Sequence, residues 1–254
     1  MAHHALRVAF HDAVNYSPKL HSQGQYGGGG ADGSIMKFSD IELQYVENNV
    51  LGDIINAEKA IADKHGVSYG DMIQFSAVVS VRNCINGPRI AFKAGRPDAT
   101  QPAPDGLVPT PFDSVDKILA RVEDAGLTPQ DLIELLASHS IAGQEVVDPK
   151  VAGLPLDLTP TVFDTNFYRD VQLAGFLYPG NDGPHTGESM SPFFNEFRLQ
   201  SDFELARDPR TSGYWLMLSL NPILMSTGFA TSMAKMALIG QNPSILHDCS
   251  DVIP

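Results

Sequence analysis

A mostly α-helical fold is predicted for this chain of 254 residues. Apolar residues recur at helical spacing in segment after segment, and capping residues, Pro or Gly bound those segments. The β-branched alternation that a large sheet needs is nearly absent. With 43% hydrophobic and 19% charged residues, the chain can bury a large core and does not read as disordered.

The first helix is expected over residues 2–15, ahead of Pro18. A polar, Gly-rich loop (HSQGQYGGGGADGS) follows, and a second helix is expected over 50–65, stopped by Gly66. Ser68 stands three residues before Asp71 and caps the periodic run MIQFSAVVSVRN. Residues 94–111 hold too much Pro and Gly for a regular element and read as a long ordered loop or a seam between helical halves. Residues 113–124 are helical. Next, TPQDLIELLASHSIAG begins with Thr128 as cap, Pro129 in the first turn and Asp131 at the third position, so one helix is expected as far as Gly143. Further helices are expected at 164–173, 214–220 and 222–238, and no internal repeat is found.

Seventeen basic against thirty acidic residues give a formal charge of −13. Such a surface repels phosphate backbones and anionic lipid, which argues against nucleic-acid or membrane partners, and it suits a protein that holds cations among its carboxylates. No apolar run reaches the roughly 18 residues of a membrane span. The start MAHHALRVAFHDAV reads as an amphipathic helix and not as a signal peptide. Cys84 and Cys249 are compatible with one long-range bridge or with two free thiols.

Three features carry chemistry. Arg7 and His11, four residues apart, share one face of the first helix within RVAFHD; alone, such a pair also serves as surface or packing residues. His139 falls in the apolar stretch LLASHS, where an uncharged imidazole needs a hydrogen bond or a metal. Beside each histidine lies an oxygen-rich cluster. Asp12 adjoins His11, with Asp32 and Ser34 in GGGGADGS. Ser140 adjoins His139, with Asp157, Thr159, Val162 and Asp164 in DLTPTVFD. Carboxylate, hydroxyl and carbonyl oxygens are what calcium takes, six to eight at a time, although neither cluster has EF-hand spacing and each also reads as turn and cap residues.

The ordered set LRVAFHDA, GGGADGS, IELQYVENN, AGRPD, LLASHSIA, FDTNFY, RLQSDFELARD and DCSDV resembles the secreted fungal haem peroxidases of the plant peroxidase superfamily, the lignin, manganese and versatile peroxidase group. The likeness spans nearly the whole chain. It implies a single haem peroxidase domain over 1–254, with haem b between a distal half (1–110) and a proximal half (111–254). His139 then corresponds to the ligand of haem iron and His11 to the distal acid–base. Arg7 corresponds to the distal arginine, Phe10 packs over haem, Asn48 orients His11 and Asp202 bonds the proximal histidine. Asp12, Gly30, Asp32 and Ser34 match one calcium site, and Ser140, Asp157, Thr159, Val162 and Asp164 match the other.

What the resemblance implies makes chemical sense. A neutral His11 accepts the proton of hydrogen peroxide and returns it to the departing oxygen, while Arg7 supplies fixed positive charge there. Asp202 gives His139 anionic character, which favours O–O cleavage. The implied reductants are phenols and small aromatics, and the implied protein is a secreted monomer.

The chain departs from the family at several points. The surface tryptophan of long-range oxidisers, five residues before the proximal histidine, is Glu134 here, and the sole tryptophan is Trp215. Of the three manganese-binding acids, Glu145 matches the third, His4 replaces the second and the first would precede Met1. Both cysteines match positions whose usual partners lie upstream, and another family cysteine is replaced near Gly213. The alternatives are therefore a manganese-oxidising peroxidase, or a catalytically weakened haem- or calcium-binding protein.

Overall fold

The computed structural model describes residues 2–181 and 183–254. In chain order the helices are α1 (Ala2–Val14), α2 (Pro18–Ser22), α3 (Ser34–Lys37), α4 (Ser39–Glu42), α5 (Gly52–His65), α6 (Tyr69–Arg82), α7 (Val115–Asp124), α8 (Pro129–Leu135), α9 (Asn166–Gln172), α10 (Gln200–Leu205), α11 (Ser212–Leu220) and α12 (Pro222–Met236). Short 3₁₀ segments lie between them. One two-residue antiparallel ladder pairs β1 (Lys93–Ala94) with β2 (His247–Asp248). The mostly α expectation holds.

The predicted caps form. Ser68 accepts the Asp71 amide at the start of α6, and Thr128 and Asp131 make a reciprocal capping box on α8. Asn221 caps α12, with Pro222 in its first turn. α1 buries Ala5, Leu6, Val8, Ala9 and Ala13 and packs on α6, which returns Ile73, Ala77, Val78 and Val81. A second centre is aromatic. Phe167, Tyr168 and Trp215 meet at ring separations of 5.1–5.4 Å, and the Trp215 indole donates to the Tyr168 carbonyl at 3.0 Å.

Two expectations are corrected. The helix expected from residue 50 starts at Gly52, because Val50 takes a left-handed φ of 67° that no helix accommodates. The single helix expected over 128–143 is α8 followed by a 3₁₀ segment, Leu136–Ile141. There the Ser140 hydroxyl donates to the Ala137 carbonyl at 2.8 Å, a local bond that competes with regular helix pairing. His139 sits in this tighter winding.

Of residues 94–111, expected to hold no regular element, Ala94 ends β1 and the rest form none, yet they are anchored. Glu42 accepts the Ala103 amide at 2.9 Å, the Tyr45 hydroxyl donates to the Ala103 carbonyl at 2.9 Å, and the Ala99 amide reaches the Asp32 carbonyl. The fully buried Arg96 side chain pairs with Asp71 at 2.7 Å and donates to the Ala237 carbonyl at 2.8 Å. It thereby ties the start of α6 to the end of α12. The thiols of Cys84 and Cys249 are both free, not bridged to each other.

Glu58 on α5 is buried, and neither carboxyl oxygen makes a hydrogen bond. Burial pushes it up to about 7, against a smaller opposing influence of Ser76. Because its folded pKa lies above the unfolded one, its contribution to stability is present below about pH 4.5 and is lost as pH rises to about 7. Glu58→Gln is therefore expected to gain about 1–3 kcal/mol in urea unfolding at pH 7.5 and little at pH 4. An equal effect at both pH values would contradict this.

Candidate active site

A cavity of about 400 Å³ is walled by Leu6, Phe10, Leu132, Leu136, Leu205 and Met236, and by both predicted histidines, His11 and His139. α1 carries His11 and Arg7, while the 3₁₀ segment after α8 carries His139. Contact between these two elements places both imidazoles on one cavity.

The His11 Nδ1–H donates to Asn48 Oδ1 at 2.8 Å, and Asn48 Nδ2 donates in turn to the Glu42 carbonyl at 2.8 Å. Since a carbonyl oxygen only accepts, this relay assigns the proton to Nδ1 and leaves Nε2 as a lone pair. Burial, and then the charge of Arg7, push His11 down to about 3, so it is neutral at ordinary pH. Arg7 Nη2 donates to the Glu47 carbonyl at 2.6 Å, which holds the guanidinium at the cavity. Asn48 and its neighbours reach this position through a 3₁₀ turn, Val46–Asn48.

His139 is held in the same manner. Its Nδ1–H donates to Asp202 Oδ2 at 2.9 Å, and Asp202, on α10, is 1% exposed. Among the described residues, the other ring nitrogen is left without a protein partner on the side of the cavity. The edge of Phe167 meets the imidazole at 5.3 Å. Apolar walls and an anionically supported imidazole suit an iron porphyrin, which needs dry walls for the macrocycle and a nitrogen lone pair for the metal.

The first oxygen cluster is assembled. Asp12, Asp32 and Ser34 are all buried, and Asp12 Oδ1 and Ser34 Oγ have no hydrogen-bond partner. Gly30 has φ of 77°, and a Cβ there would lie 2.2 Å from the Ile239 carbonyl oxygen, so only glycine lets the loop approach the turn after α12 so closely. Burial, with Asp32 adding, pushes Asp12 far above the carboxylate range, and burial pushes Asp32 up to about 6. Buried carboxylates with unused oxygens are what a hard cation would satisfy.

The second cluster also converges. The Thr159 hydroxyl lies 2.7 Å from Asp157 Oδ1 and 3.0 Å from Asp164 Oδ2, with one proton to share between them, and Asp157 Oδ2 is buried without a partner. Burial, with Asp164 adding, pushes Asp157 up to about 6. Ser140 Oγ donates to the Ala137 carbonyl, which leaves its lone pairs unused, and the Val162 amide bonds the Thr159 carbonyl.

Sequence reasoning missed Glu42 and Glu47. Glu42 accepts from Asn48 through its carbonyl and from the loop through its carboxylate; burial pushes it up to about 7, against the Ala103 amide. Glu47 acts through its backbone carbonyl, for which side-chain identity gives no signal. Glu134 lies buried, accepting from Tyr214 and Ser232, and Trp215 is 0% exposed. At the cavity mouth, His4 Nε2 lies 2.8 Å from Glu145 Oε2, with His3 alongside.

The sequence matches the family described as peroxidase over residues 1–220 and the fungal peroxidase extension region over 224–254. It is 47% identical to versatile peroxidase VPS1 of Pleurotus eryngii over 252 residues, covering 99% of this chain and 68% of that protein. Ligninase A of Phanerodontia chrysosporium is 46% identical over 254 residues, covering 100% and 68%. Manganese peroxidase 3 of Phlebia radiata is 46% identical over 252 residues, covering 99% and 69%. This chain therefore belongs to the peroxidase family, among the secreted haem peroxidases of fungi, and is a hydrogen-peroxide-dependent oxidoreductase of the haem type.

Proposed function

We propose that this protein oxidises phenols and small aromatic reductants with hydrogen peroxide, outside the cell and as a monomer, using haem b held by His139. The observation that carries this reading is the buried His11, kept neutral by burial and the fixed charge of Arg7 and held in one tautomer by Asn48.

Haem held by His139 would supply the redox chemistry, in which two-electron reduction of peroxide to water is balanced by two one-electron oxidations of the reductant. The chain supplies the proton handling. His11 Nε2 takes the proton from one peroxide oxygen and delivers it to the other, so that the leaving group departs as water. Arg7 stabilises the charge that develops on that oxygen, and its high pKa bars it from acting as the base. Asp202 keeps the Nδ1–H of His139 engaged, which fixes the ring and strengthens its Nε2 as a donor. Phe10 and the leucines exclude water from the reaction face.

Asp12, Gly30, Asp32 and Ser34 would hold one calcium ion, and Ser140, Asp157, Thr159, Val162 and Asp164 a second. Each cluster borders a histidine-bearing segment, so each ion would brace one side of the cavity. On this reading residues 1–110 and 111–254 are two halves of one domain. Phenols are favoured over manganese, because an imidazole, His4, stands beside Glu145 where the manganese set has its second carboxylate. Long-range oxidation of bulky aromatics is disfavoured by the buried Glu134 at the usual tryptophan position.

His11→Leu is expected to keep haem bound while slowing the reaction with peroxide by about a thousandfold or more in stopped-flow absorption. Near-normal kinetics would overturn the role of His11. Calcium removal, verified by elemental analysis, is expected to lower the thermal midpoint by roughly 5–10 °C and to weaken haem retention. An unchanged midpoint would remove calcium from the account.

A further inference from the structure

We propose that His3, His4 and Glu145 form a binding site for a divalent transition metal of the zinc class, set at the mouth of the haem cavity. One donor atom from each of the three residues lies within 4.8 Å of the others. His4 Nε2 stands 2.8 Å from Glu145 Oε2, and His3 Nε2 stands 3.8 Å from Glu145 Oε1. The His3 nitrogen is also buried and makes no hydrogen bond. A nitrogen aimed at a carboxylate, yet too far away to bond it, is satisfied by a cation placed between them.

The site bridges two elements. His3 and His4 lie in the first turn of α1, and Glu145 follows the 3₁₀ segment that carries His139. His3, Glu145 and Arg7 all line the cavity, so a bound ion sits beside the entrance without using any residue assigned to peroxide chemistry. This inference does not depend on which reductant the enzyme oxidises.

The donor set decides the metal. Two imidazole nitrogens and one carboxylate oxygen, with a position left for water, make the three-ligand arrangement that zinc adopts at open sites. Imidazole also suits copper and nickel, whereas manganese prefers carboxylate and water oxygens and stands low in the affinity order for nitrogen-containing sites. The substitution of imidazole for carboxylate at position 4 therefore changes which ion the entrance holds. Occupation by zinc neutralises Glu145 and competes with manganese for the same donors.

The test is equilibrium dialysis of the haem-loaded, calcium-saturated protein against zinc sulfate and, separately, manganese sulfate. Metal is measured by elemental analysis, and folding of each variant is verified by circular dichroism. One zinc ion per chain is expected, bound about tenfold or more tightly than manganese. His3→Phe, His4→Phe and the conservative Glu145→Gln should each weaken zinc by about tenfold or more, and His4→Glu should shift the preference toward manganese. Zinc uptake that is absent, or unchanged in all three variants, would overturn the proposal, as would manganese binding as tightly as zinc.

Discussion

Everything at the active site depends on fixing the tautomer of two imidazoles from behind. His11 is held by Asn48, whose amide is anchored on the Glu42 carbonyl, and His139 is held by the buried Asp202. In both, Nδ1 donates to a support behind the ring, which leaves Nε2 as the nitrogen available to the cavity. The supports differ in charge, and so do the consequences. A neutral amide leaves His11 an ordinary base, further discouraged from protonation by burial and Arg7, while a carboxylate makes His139 a stronger electron donor. On the proposed reading, two histidines of the same sequence thereby acquire opposite chemical tasks.

The frame keeps these supports in register. α1 packs along α6 and against the 3₁₀ segment of His139, so the two histidines sit on neighbouring elements of a continuous core. The loop over residues 95–111 is fastened to Glu42, the residue whose carbonyl orients Asn48, and Arg96 links that loop to the starts and ends of longer helices. The two oxygen clusters lie next to the same segments. Their buried, partnerless oxygens leave the frame incomplete in a way that a hard cation would remedy.

Much of this was legible in the sequence because capping and periodicity are local. Ser68, Thr128 with Asp131, and Pro222 marked the starts of α6, α8 and α12, and RVAFHD and LLASHS marked the two histidines. The winding at His139 was not legible, since a hydroxyl-to-carbonyl bond at Ser140 decides it. Nor was the first turn at Pro18, although Ser17 caps it, because five residues carry too little periodicity. The roles of Glu47 and Glu42 rest on backbone carbonyls, which every residue possesses. Glu134 was readable as a change from a surface aromatic, but its burial against Tyr214 and Ser232 comes only from packing of α8 on α11 and α12.

On the proposed reading the chain keeps the groups that handle peroxide and differs at those that meet the reductant: Glu134 is buried, and Glu145 is flanked by His3 and His4. That division points to conserved oxidant chemistry with reductants taken at the cavity edge. The most direct test is an electron count: haem-loaded protein is mixed with one equivalent of hydrogen peroxide, its absorption spectrum is followed, and a simple phenol is then titrated in. The account predicts a rapid spectral change that returns to the resting spectrum only after two one-electron equivalents of phenol have been consumed. A protein that holds haem but shows no change on adding peroxide would contradict it.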